Sequence, residues 1–302
     1  MAVSTSVINN IETAQKYASA LDTLVTQKAV TGFFADNVMG AMFVGAKTVQ
    51  IPSMEFEGLG NYDKDNGFPQ GKITVSHELF ELGMDRAKGM QLDRMDMDET
   101  GVANLAGTTL KEYVRTKVVP EMDAYNLSKL AGVASAQGNE KAFTAATVYK
   151  TFTELENGIQ GTAGFDEELV CFVDPIAYAA LMNSDELKHS ITVSDFKQGD
   201  INLKVKTLNG VAIIPVAADR MKTAYEFGED GFKVDEDAAK NLNMLMLPKS
   251  AASLVKKTEK LRVISPDNNQ DADAYLFQYR VYYDIFVKKS RKAHIYCATS
   301  AR

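Results

Sequence analysis

The sequence contains no tryptophan, three histidines and only two cysteines among its 302 residues. Cys171 and Cys297 lie in the apolar stretches LVCFV and HIYCA, where a thiol usually behaves as a small core side chain. We therefore expect no disulfide framework, and this cysteine usage favours synthesis in the cytoplasm. No two histidines have the spacing of a zinc site.

Excess positive charge and a long apolar run are lacking as well. The 33 basic and 40 acidic side chains leave a net charge of −7, which argues against a surface that binds phosphates through bulk charge. The first residues, MAVSTSVINNIETAQK, have neither the basic start nor the apolar run of a signal peptide. The most apolar window, FFADNVMGAMFVGA, is too short for a bilayer. We expect a chain that is neither exported by that route nor embedded in a membrane.

A hydrophobic content of 45% in a chain of this length allows a substantial core and favours two lobes over one. In residues 10–29 the apolar side chains recur at spacings of three and four, which predicts an amphipathic helix with a narrow apolar seam. From Lys47 the apolar side chains recur at every second residue, as Val49 and Ile51 do. Pro52 interrupts this alternation, and Met54 and Phe56 resume it one residue out of register. This pattern predicts a bulged or edge strand, and a returning strand follows from Ile73.

The segment between these strands, EFEGLGNYDKDNGFPQGKITV at 55–75, is too long and too polar for a tight turn. Common hairpin loops have about two to five residues. We predict an extended arm whose unpaired backbone and apolar flanks cost free energy unless another surface covers them. The arm is therefore expected to lie across a neighbouring subunit.

A long helical pattern follows, from Gly101 to Ala134, which corresponds to roughly 50 Å at 1.5 Å per residue. Pro120 lies inside this pattern. Because proline lacks an amide hydrogen and crowds the carbonyl four residues back, the helix is predicted to bend or break near Val119.

The second half of the chain reads as a mixed α/β lobe followed by a second long hairpin. The lobe begins with a helix that carries Val148, Phe152, Leu155 and Ile159 on one face. It continues with the strand LVCFV, a helix with Asp174-Pro175 at its N-cap and N1 positions, and the strands GVAIIPV and NMLML. The runs ASLVKKTEKLRVI and AYLFQYRVYYDIFV form the hairpin, with the acidic tip SPDNNQDAD, and AHIYCA is a last short strand.

No stretch carries the full pattern of an enzyme or cofactor site. GLGNYD at 58–63 fails the dinucleotide fingerprint, and GFPQGKI at 67–73 has one spacer too few for a phosphate-binding loop. DMDETG at 96–101 and DNNQD at 267–271 both lack the glutamate of a calcium loop. A nucleophile elbow and a cysteine-protease signature are also missing. We expect no catalytic residues, no metal and no cofactor.

The order of these elements, with the stretches VVPEMDAYNLSKLA, NGVAIIPVAADRM and FQYRVYYDIFVKKSRKAHIYCA, resembles the major capsid proteins of tailed bacteriophages with the Hong Kong 97 fold. The resemblance covers nearly the whole chain. It implies an α+β fold with an N-arm, an extended hairpin called the E-loop, a long spine helix with a peripheral β-hairpin, and a mixed α/β axial domain.

The resemblance also implies the domain boundaries. These are the N-arm at 1–46, the E-loop and the start of the peripheral domain at 47–97, the spine helix at 98–135, the axial domain at 136–250, the peripheral hairpin at 251–288, and a C-terminal strand returning to the axial domain at 289–302.

Residues that contact neighbouring subunits are implied by position. They are Phe56, Leu59, Gly60, Tyr62, Lys64 and Phe68 on the E-loop, Pro266, Asp267, Asn269 and Asp271 at a hairpin tip near a local threefold axis, and Ile11, Leu21 and Val25 in the N-arm. Pro120 is the candidate hinge at which the spine helix would bend differently in precursor and expanded shells. Some family members cross-link an E-loop lysine, but no acceptor for Lys64 can be identified, and cross-linking is not expected.

The function implied is that of a structural protein that assembles through hexamers and pentamers into an icosahedral shell around phage double-stranded DNA. Its main partner is itself. Because the hairpin begins near Lys47, we do not expect the family's N-terminal scaffolding segment or its proteolytic removal; the resemblance then implies a separate scaffolding protein, or none, and a portal is expected too. Contact with the packaged DNA should be weak and non-specific, in a virion assembled in the bacterial cytoplasm. The alternatives are an encapsulin-type nanocompartment shell and, from a different class, an oligomeric α/β metabolic enzyme.

Overall fold

The structure is a computed structural model, and it describes residues 29–37, 42–45, 47–62, 64, 71–93, 95, 111–184, 191–198 and 201–301. The helix predicted over 10–29, the first part of the spine helix and Phe68 lie outside these residues.

Within the described residues the chain forms three α-helices and fifteen strands. The helices are α1 (Val119–Ala136), α2 (Val148–Ala163) and α3 (Pro175–Asn183). The strands are β1 (Met42–Val44), β2 (Thr48–Phe56), β3 (Ile73–Glu81), β4 (Met84–Asp93), β5 (Glu140–Ala142), β6 (Leu169–Val173), β7 (Ile191–Gln198), β8 (Ile201–Leu208), β9 (Val211–Pro215), β10 (Tyr225–Gly228), β11 (Gly231–Val234), β12 (Asn241–Pro248), β13 (Ala252–Ile264), β14 (Ala274–Val287) and β15 (Tyr296–Ser300).

The largest sheet has seven strands in the order β5-β15-β12-β6-β9-β8-β7. The pairs β6–β9 and β15–β5 are parallel, and the other pairs are antiparallel. All five residues of β6 are buried, as expected for a central strand that is covered on both faces. The predicted strand LVCFV is therefore confirmed as the centre of the α/β lobe.

Each face of this sheet carries its own apolar core. On one face, α2 and α3 pack through Phe152, Leu155, Ile159 and Leu181 against side chains such as Cys171. The predicted N-cap of α3 is confirmed, because the Asp174 carboxylate accepts a hydrogen bond from the backbone of Ala177 at 2.7 Å.

The opposite face of the sheet packs against α1 and against a short 3₁₀ helix, Gly32–Asn37. Phe33 and Phe34 of this short helix are fully buried, and the Phe33 ring stacks on Phe172 with centroids 6.1 Å apart. The end of the segment predicted as an N-arm is therefore part of the subunit's own core.

A second sheet, in the order β13-β14-β4, lies on the other side of α1. Both long strands of the predicted C-terminal hairpin are confirmed with the predicted bounds. Residues 281–287 of β14 are buried on both faces. Val281, Tyr283 and Ile285 join the core around α1, whereas Tyr282 and Phe286 join a smaller cluster on the opposite face.

The third sheet, β1-β2-β3, contains the predicted arm. From Thr48 opposite Glu81 to Phe56 opposite Ile73, β2 and β3 pair without any register shift. The predicted bulge at Pro52 is therefore wrong. The prediction of an edge strand is confirmed, because β1 pairs only with residues 48–50 of β2, so residues 52–56 have no second partner among the described strands. Pro52 has no amide hydrogen to donate to a further strand on that edge of the sheet, so an edge strand can contain it without losing a hydrogen bond.

The predicted spine helix does not break at Val119; of the predicted bend or break only the break is excluded, and the regular α-helical bonding is interrupted just before Pro120. It is helical from residue 111, forms a π-helical segment at Val114–Val118 and continues as α1 to Ala136. The amide of Val119 donates to the carbonyl of Val114, five residues back, in place of an ordinary α-helical bond. The wider turn accommodates the ring of the buried Pro120, which an α-helix would press against the carbonyl of Thr116.

Several strands were not predicted from the sequence: β1, β4, β5, β7, β8, β10 and β11. The predicted last strand is also displaced, because His294 belongs to a 3₁₀ helix at Lys289–His294 and β15 begins at Tyr296.

Candidate subunit-contact surfaces

The hairpin of β2 and β3 uses its two faces differently. Because paired residues of antiparallel strands point to the same face, Val49, Ile51 and Phe80 share one face. These three side chains pack on Tyr282 and Phe286 of β14, with the Phe80 and Phe286 rings 4.8 Å apart. We call this the inner face, and only the base of the hairpin uses it for apolar contact.

The opposite face, which we call the outer face, is apolar and exposed. It carries Met54 and Phe56 from β2 and Ile73, Val75 and Leu79 from β3, each between 58% and 69% exposed. Met42 and Val44 of β1 extend it, since they pair with Gln50 and Thr48. Seven exposed apolar side chains on one face of one sheet form the kind of cluster that marks an interaction site, unlike apolar residues scattered singly over a surface.

Pro52 marks the point at which the apolar residues change face. Before it, the apolar side chains of β2 lie on the inner face; beyond it, the inner face carries Ser53 and Thr74, and the apolar residues lie on the outer face. The apparent loss of register in the sequence is therefore a change in which face is hydrophobic. Beyond Pro52, the apolar side chains of the hairpin therefore lie on the exposed outer face.

Most of the exposed large apolar side chains of the described residues are concentrated on this hairpin sheet and its tip. All of them except Met95, Phe165 and Ile176 lie between residues 42 and 79. A strand of nine residues spans roughly 30 Å, so the patch is extended as well as large.

Five of the predicted E-loop contact residues are exposed. Phe56 is 69% exposed and Leu59 fully exposed, and Gly60, Tyr62 and Lys64 are exposed as well. They lie where the prediction placed them, at and beyond the end of β2, but Phe56 alone belongs to the outer face. Most of that face was not among the predicted contact residues, although the alternation of Met54 with Phe56 and of Ile73 with Val75 in the sequence indicates it.

The second predicted contact, at the β13–β14 tip, requires a correction. Pro266 is buried by its own hairpin, so it stabilises the tip and is not reachable by a neighbour. Asn269 also acts within the tip, because its amide donates to the carbonyl of Ala274 and its oxygen accepts from the amide of Asp271. Asp267 and Asp271 are exposed and remain candidates.

Ile11, Leu21 and Val25 of the N-arm lie outside the described residues. The described chain begins at Ala29, where the buried carboxylate of Asp123 accepts from the amides of Val30 and Thr31 and from the Thr31 hydroxyl at 2.8 Å. The pKa of Asp123 is raised overall, because burial disfavours the charged carboxylate. The hydrogen bonds from Val30 and Thr31 and the Arg220 guanidinium, 3.2 Å away, oppose this shift. This network attaches the end of the segment predicted as the N-arm to α1.

Pro120 and the π-helical segment border a cleft of about 420 Å³ between the spine helix, β4 and the β10–β11 hairpin. Arg86 of β4 crosses it and pairs with Glu121 at 2.5 Å, and it donates to the carbonyl of Gly228 at 2.7 Å. One side of the helix irregularity therefore borders this cleft, whereas Val114 and Val119 on its other side are buried in the core.

Metal-binding side chains and thiols are two features of the described residues that bear on catalysis. No group of three or more histidine, cysteine, aspartate or glutamate side chains among them is placed to hold a metal ion. Both thiols are buried, and burial raises the pKa of Cys297 to about 12, which disfavours the nucleophilic thiolate. Among the same residues, no helix is long and apolar enough to cross a membrane.

No known protein-family profile matches the chain, and no curated protein matches it in sequence. Solved structures do match it. The mature capsid of bacteriophage PhiM1 superimposes with a TM-score of 0.55 at 13% identity, over 84% of this chain and 82% of that one. The capsid of the cyanophage P-SCSP1u gives 0.56 at 12% identity, over 86% and 85%. A virus-like particle from Pyrococcus furiosus gives 0.52 at 13% identity, over 95% and 99%.

The chain therefore has a mixed α+β fold of the class found in shell-forming proteins. More particularly, its fold is that of tailed-bacteriophage major capsid proteins. At these identities the likeness establishes the fold, and the function must be argued from the surfaces.

Proposed function

We propose that this chain is the major capsid protein of a tailed bacteriophage, with a Hong Kong 97-like arrangement of N-arm, E-loop, spine helix, peripheral hairpin and axial domain. In this proposal, hexamers and pentamers of the chain close an icosahedral shell around double-stranded DNA. The proposal rests mainly on the outer face of the hairpin, an exposed apolar surface on an element that its own subunit contacts only through the base of the inner face.

A second copy is the occupant that this geometry favours. The remainder of the described surface exposes few large apolar side chains, so the hairpin of one copy and the body of another present two different surfaces. Such a head-to-tail contact repeats from copy to copy and forms rings, from which a closed shell can be built. Each interface need be only of ordinary size, about 1,600 Å² in total, because several act on every subunit.

The charge of the chain agrees with a shell that encloses DNA without gripping it. A net charge of −7 provides no bulk attraction to phosphates, so we propose that the DNA lies close to the shell with little affinity for it. A separate scaffolding protein and a portal are the further partners proposed.

Substitutions on the two faces of one strand test the proposal. Val75 on the outer face is 58% exposed, and its neighbour Thr74 is exposed on the inner face, opposite Glu55. We expect Val75→Lys to abolish particles, because an unpaired charge in the contact should cost at least about 2 kcal/mol per interface, or about thirtyfold in affinity. Thr74→Lys should assemble normally.

Electron microscopy and gel filtration of the two variants provide the measurement. Normal particles from Val75→Lys, or equal loss of particles from both variants, would show that the outer face is not the contact. A small, discrete oligomer in all samples, including the unmodified protein, would favour the enzyme alternative.

The match to the Pyrococcus furiosus virus-like particle, over almost all of both chains, favours a second candidate, an encapsulin-type compartment. The contents of particles from the native host separate the two. A phage shell should hold double-stranded DNA, whereas a compartment should hold a protein cargo and no genome.

A further inference from the structure

The strand path that leaves the hairpin is interrupted at Leu82 and Gly83, which we call the root connection. On one side β3 ends at Glu81, paired with β2; on the other β4 begins at Met84, paired with β14. The chain thus passes from one sheet to another within two residues. The direction of the hairpin depends on how these two residues are held.

The backbone groups of the root connection are bound by side chains of β14. The carbonyl of Leu82 accepts a hydrogen bond from the Tyr282 hydroxyl at 3.1 Å, and the amide of Gly83 donates to the Asp284 carboxylate at 2.9 Å. The amide of Leu82 closes the end of the hairpin by donating to the carbonyl of Lys47 at 2.9 Å. Side chains here replace the ladder bonds that a continuous strand would have.

Asp284 connects the root connection to the spine helix as well. It is 1% exposed, and its other oxygen accepts from the Tyr125 hydroxyl at 3.0 Å and from the Lys129 ammonium at 2.6 Å, both on α1. The same oxygen accepts from the amide of Ile285 at 2.7 Å. A buried carboxylate with four donors is strongly held, and loss of one partner is costly.

Gly83 fits this network without spare room. A Cβ atom at this position would lie 3.2 Å from a carboxylate oxygen of Asp284 and 3.2 Å from the Tyr125 hydroxyl, so a side chain would push both groups away. Apolar contacts also hold the hairpin base, in a cluster that includes Leu82 itself together with Val255, Tyr282 and Phe286. These non-directional contacts keep the hairpin on β14, whereas the directional hydrogen bonds to Leu82 and Gly83 fix the backbone path between the two sheets.

We propose that Asp284 is a positioning residue that, through Gly83, sets the direction in which the hairpin leaves the subunit. By this means every copy presents the outer face at the same angle. The consequence for shell assembly rests on the proposed function, but the direction of the hairpin within one subunit does not.

Distances between spin labels test the proposal. Both native cysteines are buried, so labels can be directed to Leu59→Cys on the hairpin and Lys150→Cys on α2, two exposed positions. Labelled protein is diluted in excess unlabelled protein, so that only pairs within one subunit are measured. Unassembled and assembled fractions are recorded separately, together with circular dichroism of each variant.

We expect Asp284→Asn and Gly83→Ala each to broaden the distance distribution, or to shift it by more than its width in the parent protein. Adding Tyr125→Phe to Asp284→Asn should broaden it no further, because both changes act on one network. Asp85→Asn is the matched control, since Asp85 pairs with Arg280 at 2.6 Å on the exposed surface of the same sheet and should leave the distribution unchanged.

A folded Asp284→Asn protein with the parent distribution would overturn the proposal. If Asp284→Asn does not fold, an unchanged distribution in Gly83→Ala overturns it instead. Failure of the parent protein to form particles would count against the proposed function alone, because the distances are read within single subunits.

Discussion

At the scale of single residues, Glu140 shows how one carboxylate connects several elements. Its oxygens accept hydrogen bonds from Lys240 at 2.8 Å, from Ser135 at the end of α1 at 2.6 Å, and from Thr299 of β15 at 2.7 Å. These donors, with Lys240 the largest contributor, lower the pKa of Glu140 from 4.5 to about 2. The ionised form is therefore favoured by folding.

Glu140→Gln should lower the free energy of unfolding at pH 7 by roughly 1 to 2 kcal/mol, since solvent screens part of the interaction. The contribution of Glu140 is complete above the pKa of the unfolded chain, near 4.5, and is lost as the pH falls towards 2. Urea unfolding of unassembled subunits at pH 7 and at pH 3 should show the deficit shrinking. Glu112→Gln, which affects an exposed pair with Arg115, is the control and should change stability at neither pH.

At the scale of elements, the spine helix and the hairpin show two ways of accommodating proline. In the hairpin, Pro52 lies where β2 becomes an edge strand, so no ladder bond is lost. In the helix, Pro120 is buried and is preceded by a π-helical segment. The hydrogen bonding that Pro120 imposes over residues 114–119 is the physical basis for its role as a candidate hinge.

Pro120→Ala should restore the missing amide and allow ordinary α-helical bonding through this segment. We expect slower hydrogen exchange of the amides at 114–120 and an altered distribution of particle sizes or of shell expansion. Lys117→Ala, an exposed change in the same segment, serves as the control. Unchanged exchange, assembly and expansion would remove Pro120 as a hinge.

At the scale of the whole molecule, the described helices and sheets are stacked in layers, and each layer contacts the next. Helices α2 and α3 cover one face of the seven-stranded sheet, and α1 lies between that sheet and the β13-β14-β4 sheet. The base of the hairpin contacts the far face of the latter sheet. The hairpin is thus an outermost element that contributes little to the main core, which makes it available to other copies.

Replacing residues 60–67 with a short turn should therefore leave the subunit folded and prevent particle formation. The physical reason is that the described residues of the removed tip, 60–62 and 64, are exposed and belong to none of the apolar cores, whereas the tip extends the surface that we propose as the contact. Circular dichroism and thermal unfolding report the fold, and electron micrographs report assembly. Intact particles from this variant would contradict the shell mechanism proposed here.

The sequence by itself determined the elements whose signals are local. The long runs of β13 and β14, the apolar face of α2 and the Asp174 cap of α3 were all predicted, because periodicity and capping depend on neighbours in sequence. The sequence also located the extended arm and the irregularity at Pro120.

Tertiary structure decided the rest, because it depends on partners that are distant in sequence. The strand β4 is mostly exposed and is recognisable only through its pairing with β14, some 190 residues later. Whether Pro120 breaks the helix or widens it depends on the packing of Val114 and Val119 in the core. Likewise, the change of apolar face at Pro52 has meaning only once β14 is seen to cover one side of the hairpin and to leave the other exposed.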